Sequence, residues 1–499
     1  MKLEEAPSDL RPHLIPKPRP GLAYNCLACG RAEPPERLHY TCPACGGLLL
    51  LEDGADEVLR GFSGQFWRRL FDYRRLLNLQ PLRGVFAFHE FLAPLIPLED
   101  VVYLGEGHTP VVAVPPHLAS GFGLEVFIKH DGLNPSASFK DRGMAAALSY
   151  LNHLRRTRGL TEVLAVCAST GDTSAAAALY AAALGPAVRS AVLLPRGKVT
   201  PAQLGQPLGA GARVIELPGV FDDCMKVVER LSEGYEVALL NSKNPWRVLG
   251  QESYAFEAAQ AFDYEMGGLA LFLPVGNAGN LTALLSGLLK LRRYGVIEEL
   301  PKVGAVQSAQ ADPVFRYFSQ SGPGRVYTPV AVRPSVAQAA MIGDPVSFPR
   351  VARLAEEYRG LAGDDHFFVV QVTESEIMDH TIRANRAGLT VCTQGGESLA
   401  GLAEAVRRGL VRPGERALVD STAHALKFAD FQAAYWAGGL EDDYGVRTDP
   451  ALVNRPLDLD LTGLPRPEPG RSQSPADRAA YVAAAALAVA RALGLAPKT

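Results

Sequence analysis

From Glu125 onward the chain alternates short β-rich runs with longer helix-forming stretches, and this constrains the fold more than any other feature. The runs are EVFIKH from Glu125, VLAVCAS from Val163, RSAVLLP from Arg189, RVIEL from Arg213, YEVALL from Tyr235, LALFLPVG from Leu269, KVGAVQS from Lys302, HFFVVQV from His366 and RALVDS from Arg416. Such alternation is the mark of parallel sheets covered by helices. Nine candidate strands are too many for one small doubly wound domain and suit two sheets. The expected fold class is therefore α/β, with two open, twisted, mainly parallel-sheet domains.

At 499 residues the chain exceeds what one hydrophobic core organises, so two lobes with appendages are expected. Residues 1–20 carry Pro7, Pro12, Pro16, Pro18 and Pro20, which deny helix and sheet interior and predict an extended arm. Residues 21–52 form a compact cysteine module. The region 53–430 holds the two α/β lobes, preceded by mixed helix and loop in which Phe66, Trp67, Leu70 and Phe71 make a packed stripe. Residues 431–499 are expected to be a linker, PLDLDLTGLPRPEPGRSQSP, and a final alanine-rich helix started by Ser474, Pro475 and Asp477.

Charge and hydropathy narrow the partners. Lys plus Arg is 50 against 53 for Asp plus Glu, so nothing recommends nucleic acid, and a small metabolite fits better. The longest apolar run, Ala479 to Ala490, falls short of the roughly 20 residues a spanning helix needs. The opening MKLEEAPSDL looks like neither a secretory signal nor a transit peptide, so a cytoplasmic protein with no membrane partner is expected.

Three turns carry chemistry. Asn134 to Gly143, NPSASFKDRG, joins the run EVFIKH to a helix starting near Phe139, and a partly desolvated lysine at a helix N-terminus has its amine freed for covalent chemistry. Lys140 is that lysine, although a solvated surface lysine would look the same in isolation. Ser169 to Ser174, STGDTS, follows VLAVCAS and converges hydroxyls and amides on whatever lies above it. Gly276 to Asn280, GNAGN, follows LALFLPVG and reads as a phosphate cradle, but it is not the G-x-G-x-x-G of a dinucleotide site.

In this order the three motifs resemble fold-type II pyridoxal-phosphate enzymes, of tryptophan-synthase-β-like fold, and within them the threonine synthases, especially the long, plant-like branch. The likeness covers about residues 21 to 430 and adds GEGHTP at Gly105, NSKNPWR at Asn241, IGDPVS at Ile342 and STAHALKF at Ser421. It implies that Lys140 holds pyridoxal 5'-phosphate covalently, that Gly276, Asn277, Ala278, Gly279 and Asn280 bind its phosphate, that Asp172 sits beside its 3'-oxygen, and that Thr422 hydrogen-bonds its pyridine nitrogen. It also implies that Ser169, Thr173, Asn241, Ser242 and Arg247 grip a substrate phosphate. The activity implied is conversion of O-phospho-L-homoserine and water to L-threonine and phosphate, with Lys140 moving the protons. A homodimer is the family expectation. A threonine or serine dehydratase-like lyase, or a non-catalytic amino-acid-binding relative, are the competing readings; Arg247 and an intact Lys140 speak against them. Asp172 stands where many relatives have Asn, His108 replaces a more usual Asn, and Ala137 departs from a common glycine or threonine.

Cys26-x2-Cys29 and Cys42-x2-Cys45 can converge four thiolates on a tetrahedral, structural zinc, in a zinc-ribbon-like module. A small β-rich module held by packing alone is the other reading. His424, beside Thr422, is read as a structural histidine, and Glu397 as a first-turn acid favouring its helix dipole.

Overall fold

All nine β-rich runs are strands in the computed structural model, which describes residues 1–499 except 55, 170, 197–200, 220, 321, 323, 463–469, 471 and 497–499. The strands are β1 (Leu22–Cys26), β2 (Ala32–Glu33), β3 (Leu49–Asp53), β4 (Val111–Ala113), β5 (Glu125–Lys129), β6 (Val163–Ala168), β7 (Val188–Pro195), β8 (Arg213–Leu217), β9 (Val237–Leu239), β10 (Leu269–Pro274), β11 (Lys302–Ser308), β12 (Phe367–Val372) and β13 (Arg416–Asp420). They make a larger sheet in the order β12-β11-β10-β13-β5-β4 and a smaller one in the order β8-β7-β6-β9. Within these two sheets every pairing is parallel except β4 with β5, and β2-β1-β3 form a third, separate sheet. Burial explains the strand composition: β10 and β11 are buried at every residue, as strands covered by helices on both faces must be.

Topology also places the chemistry. β5, β6, β10 and β13 each deliver their C-terminal ends to a turn named above, and ligands of open parallel sheets bind at such ends. Register sets Asp420 beside Lys129 and Val419 beside Ile128, which brings the loops after β13 and β5 side by side.

The proline-rich start is not a free arm. It forms two 3-10 turns, Leu3–Glu5 and Arg11–His13, and buries Ala6, Leu10 and Leu14. Arg74, buried on the helix Gly64–Leu76, donates to the Leu14 and His13 carbonyls at 3.0 and 2.8 Å and to Glu90 at 2.6 Å. Prolines exclude regular structure without excluding packing, and the buried leucines supply the packing. On the same helix Trp67, Leu70 and Phe71 are buried and Phe66 half-buried, the stripe that helical spacing predicts.

The first compact unit ends at Asp449, beyond the boundary expected at residue 430. The helix Ala429–Ala437 belongs to it, through Tyr435, which donates to Asp379 at 2.6 Å and accepts from the Asp449 N–H at 3.0 Å. The second unit, Pro450–Thr499, contains the helix Pro475–Ala492, whose Ser474 hydroxyl accepts from the Asp477 N–H at 3.1 Å. No residue of that helix is buried. Part of the proline-rich linker lies outside the described residues. Among the described residues no helix is long and apolar enough to cross a membrane.

Candidate active site

Lys140 is the first residue of the helix Lys140–Thr157, and the loop before it is clamped from a distant part of the chain. The Phe139 N–H donates to the Thr422 carbonyl at 2.8 Å, the His424 N–H to Ala137 at 3.1 Å, and the Gly132 N–H to Ser421 at 3.1 Å. A Cβ on Gly132 would lie 2.4 Å from the Ala423 carbonyl carbon, so only glycine permits this approach. Beneath the loop, Arg142 is fully buried and pairs with Asp131 at 2.7 Å and Glu257 at 2.6 Å, while Lys129 pairs with Glu257 at 2.8 Å. Those charges anchor the turn that presents Lys140.

The open side of Lys140 faces a cleft rather than bulk water, and its Nζ lies 3.7 Å from the Phe139 ring centroid. Burial pushes its pKa down to about 7; Asp172 opposes the shift, whereas Arg247 and Lys427 add to it. A large fraction of the amine is therefore unprotonated at neutral pH, as a nucleophile and base requires.

The cleft is lined by Lys140, Asp172, Ser242, Arg247, Gly276, Asn277, Ala278, Gly279, Asn280 and Thr422. The glycine-rich turn follows β10 and opens the helix Gly279–Arg293, with Ala278 left-handed at φ 61°. The first N–H groups of a helix have no acceptor within it, so this turn offers amides to an anion. Gly276 leaves no room for a side chain, since a Cβ would approach Ala340 Cα to 3.0 Å. Asn280 Nδ2 instead donates to Asp420 at 3.1 Å, and burial, then Asp131, holds the Asp420 carboxyl well above its ordinary pKa.

Arg247 comes from the short helix Pro245–Gln251, which packs tightly on the helix Lys140–Thr157. A Cβ on Gly250 would lie 2.3 Å from the Arg142 carbonyl oxygen, and one on Gly143 would lie 2.8 Å from that of Arg247. The Arg247 guanidinium is 3 % exposed, gives one hydrogen bond, to the Leu240 carbonyl at 2.9 Å, and leaves Nε without a partner. No carboxylate pairs with it among the described residues, and burial lowers its pKa to about 10.

The remaining expected phosphate ligands stand behind the wall. Asn241 spends its amide on the Ala168 backbone, accepting at 3.0 Å and donating at 2.7 Å. Ser169 accepts from the Gly171 and Ser174 N–H groups, each at 3.2 Å, and so caps the helix Asp172–Ala183. Thr173 is half-buried one residue along that helix, and Thr170 lies outside the described residues. None of these three placed residues lines the cleft.

Glu397 differs from expectation: it is fully buried, accepts from the Ser308 N–H at 2.9 Å, and burial, then nearby Glu374, raises its pKa well above the ordinary carboxylate value. It also lies past the first turn of the helix Thr393–Arg407, which carries no acid. His424 accepts from the Leu426 N–H at 3.2 Å, a structural cap. Sequence reasoning missed two cleft residues, Gln251 and Gln394, because a lone glutamine carries no pattern; the Gln394 amide is buried with both polar atoms unpartnered. It also missed that Lys427, within STAHALKF, pairs with Asp172 at 2.8 Å.

Apart from the cleft, β1 pairs antiparallel with β2 and β3, and the four ligand atoms of Cys26, Cys29, Cys42 and Cys45 lie within 4.8 Å of one another. Each pair sits on a turn closed by a glycine N–H, Gly30 to the Cys26 carbonyl at 3.0 Å and Gly46 to that of Cys42 at 2.8 Å. The backbone N–H of Cys29 lowers the Cys26 thiol to about 6.

Comparison with known proteins agrees with this geometry. The profile of the family described as "Pyridoxal-phosphate dependent enzyme" matches residues 102–422. Threonine synthase 2, chloroplastic, of Arabidopsis thaliana is 33% identical over 404 residues, covering 79% of this chain and 75% of that one. Threonine synthase of Methanocaldococcus jannaschii is 33% identical over 411 residues, 82% of this chain and 94% of that one. Among solved structures, threonine synthase from Escherichia coli superposes with a TM-score of 0.61 at 22% identity, over 86% of this chain and 93% of that one. Maize serine racemase gives 0.54 at 15% identity, over 72% and 97%. At those identities the two structures show the fold.

Proposed function

Because this chain belongs to the pyridoxal-phosphate-dependent enzymes, and within them to the threonine synthases, we propose that its cleft converts O-phospho-L-homoserine and water to L-threonine and phosphate. The enzyme is a lyase that uses pyridoxal 5'-phosphate. The residues present fit that cofactor: a depressed amine at Lys140, an amide cradle at Gly276 to Asn280 in which Gly276 is crowded against Ala340, and the Thr422 hydroxyl in the same cleft. When bound, the cofactor supplies an electron sink for charge developing at the substrate Cα.

The chain's own groups do the rest. Lys140 Nζ would hold the cofactor, and as a free amine in the substrate complex it would be the base that takes the Cα proton and then a Cβ proton. Thr422, a neutral hydroxyl in the cleft wall, would hydrogen-bond the pyridine nitrogen. Arg247 and Ser242 hold the substrate phosphate, with Ser169 and Thr173 at the adjoining helix start; Asn241 fixes that turn through Ala168. The Arg247 guanidinium carries the assignment: a buried cation without a carboxylate in the wall beside Lys140 is incomplete until an anion arrives. A dehydratase substrate has no phosphate to complete it.

Four thiolates at these separations suit a tetrahedral structural zinc, so we assign the module of residues 21–52 as a zinc ribbon. A cytoplasmic setting accords with seven free cysteines, and net charge −3 accords with no nucleic-acid partner. The assembly proposed is a homodimer, which light scattering on the purified protein checks.

The decisive assay supplies purified protein with O-phospho-L-homoserine and follows phosphate release with threonine as the co-product. Formation of a 2-oxo acid from threonine, with no phosphate released from phosphohomoserine, would overturn the proposal in favour of a dehydratase.

A further inference from the structure

Asp172 poses an electrostatic problem. It opens the helix Asp172–Ala183 in the wall of a cleft read as taking two phosphates, and a carboxylate there repels every anion that enters. Next to Lys140 it also favours the ammonium, the form that cannot act as base. The structure meets both difficulties with one contact. Lys427 Nζ donates to Asp172 Oδ1 at 2.8 Å, and both side chains are largely buried, at 17 % and 8 % exposure. Lys427 lies on the 3-10 turn Ala425–Phe428, and the backbone bonds that clamp Thr422 and His424 to the Lys140 loop hold that turn in place.

We propose that Lys427 is a positioning residue whose ammonium cancels the Asp172 carboxylate at the cofactor site, so that Lys140 experiences a neutral pair instead of an anion. This rests on the placement of the cofactor at Lys140. Other groups face Lys140 from each packed element. Arg247 on the helix Pro245–Gln251 is cationic, Asp420 at the end of β13 is held by burial well above its ordinary pKa, and Asp141 on the lysine's own helix is raised by burial to about 7. Among the described residues, Lys427 is the one of these groups that contacts Asp172 directly. An asparagine at position 172 would need no such cation, whereas an aspartate does, so the two side chains form one electrostatic unit.

The test is a pH titration of the visible absorbance of full-length protein loaded with pyridoxal phosphate, in wild type, Lys427→Met, Asp172→Asn and the double variant. Lys427→Met leaves one uncompensated negative charge and should raise the midpoint by about one unit or more, the size expected of a charge within a few ångströms. Asp172→Asn leaves one uncompensated positive charge and should lower it. The double variant restores neutrality and should return close to wild type, and Lys427→Arg should stay there throughout. A purely structural role for the pair would change stability and leave the midpoint where it is. If Lys427→Met does not fold, Asp172→Asn alone decides: an unmoved or raised midpoint overturns the inference, as does a double variant that keeps the shift of either single one. Wild type with no lysine-dependent visible band would instead remove the cofactor placement itself, a separate failure.

Discussion

Replacing Arg247 with methionine removes a buried cation while roughly preserving side-chain volume. In the free protein the guanidinium gives one hydrogen bond, to Leu240, and has an unpartnered Nε. A hydrogen bond to a charged group contributes about 1.5–3 kcal/mol net. With one bidentate or two single contacts to a phosphate dianion, the variant should lose about 2 to 4 kcal/mol of transition-state stabilisation, or about 30- to 900-fold in kcat/KM for phosphohomoserine. Stability should change far less. Depression of the guanidinium to about 10 marks roughly 3 kcal/mol of unfavourable burial relieved by the substitution. Against it stands the Leu240 carbonyl left without its donor, about 1–3 kcal/mol. Steady-state kinetics should therefore show the loss while denaturant midpoints stay near wild type and the visible cofactor band persists. Inorganic phosphate should raise the thermal midpoint of wild type and not of the variant. A variant that lost the cofactor band yet saturated normally with substrate would refute the assignment of Arg247 to the substrate phosphate.

Lys140→Met in cofactor-free protein tests the depressed amine through stability. The unfolded lysine titrates near 10.5 and the folded one near 7, so the unfolded state binds more protons between those values and wild-type stability rises with pH across that window. The variant should exceed wild type by up to about 5 kcal/mol at pH 6, narrowing to about 2 at pH 9; a pH-independent gap in urea titrations would count against the low pKa. Lys140→Ala in the loaded enzyme should lose turnover by several orders of magnitude, and borohydride reduction of wild type followed by peptide mapping should place the cofactor on Lys140 and not on Lys129, Lys243 or Lys427. Arg142→Met strands Asp131 in the interior and leaves Glu257 to Lys129 alone, and should cost about 3–5 kcal/mol in chemical denaturation. Cys26→Ser and Cys42→Ser should each abolish bound zinc and lower the melting temperature with little effect on turnover at saturating cofactor. Gly47→Ala should resemble them, because its Cβ would meet Cys26 Sγ at 2.9 Å; metal analysis showing no zinc in wild type would refute the metal assignment.

Local pattern by itself determined nine of the thirteen strands, since a parallel strand between helices is a short apolar run between helix-forming segments; β8 is the one of the nine with no buried residue, and β1 to β4 carry no such pattern. The cysteine spacing likewise brought four thiolates together, because two short knuckles have little freedom in where they point. The turns after β5, β6 and β10 were legible as candidates because ligands of parallel sheets bind at strand C-terminal ends, whereas Thr422 and the place of Asp172 came only from the family resemblance; the cleft lining includes all of them. Contacts between remote segments decided the rest. The Asn241 amide faces the Ala168 backbone rather than the cleft, Glu397 is a buried core acid of raised pKa, the proline-rich start is packed by Leu10 and Leu14, and the first unit runs on to Asp449. Lys427 meets Asp172 across 255 positions of sequence. Side-chain partners of that kind depend on which loops the sheet register sets beside each other, and on which polar groups burial then obliges to pair. Neither condition is written in the residues near either partner.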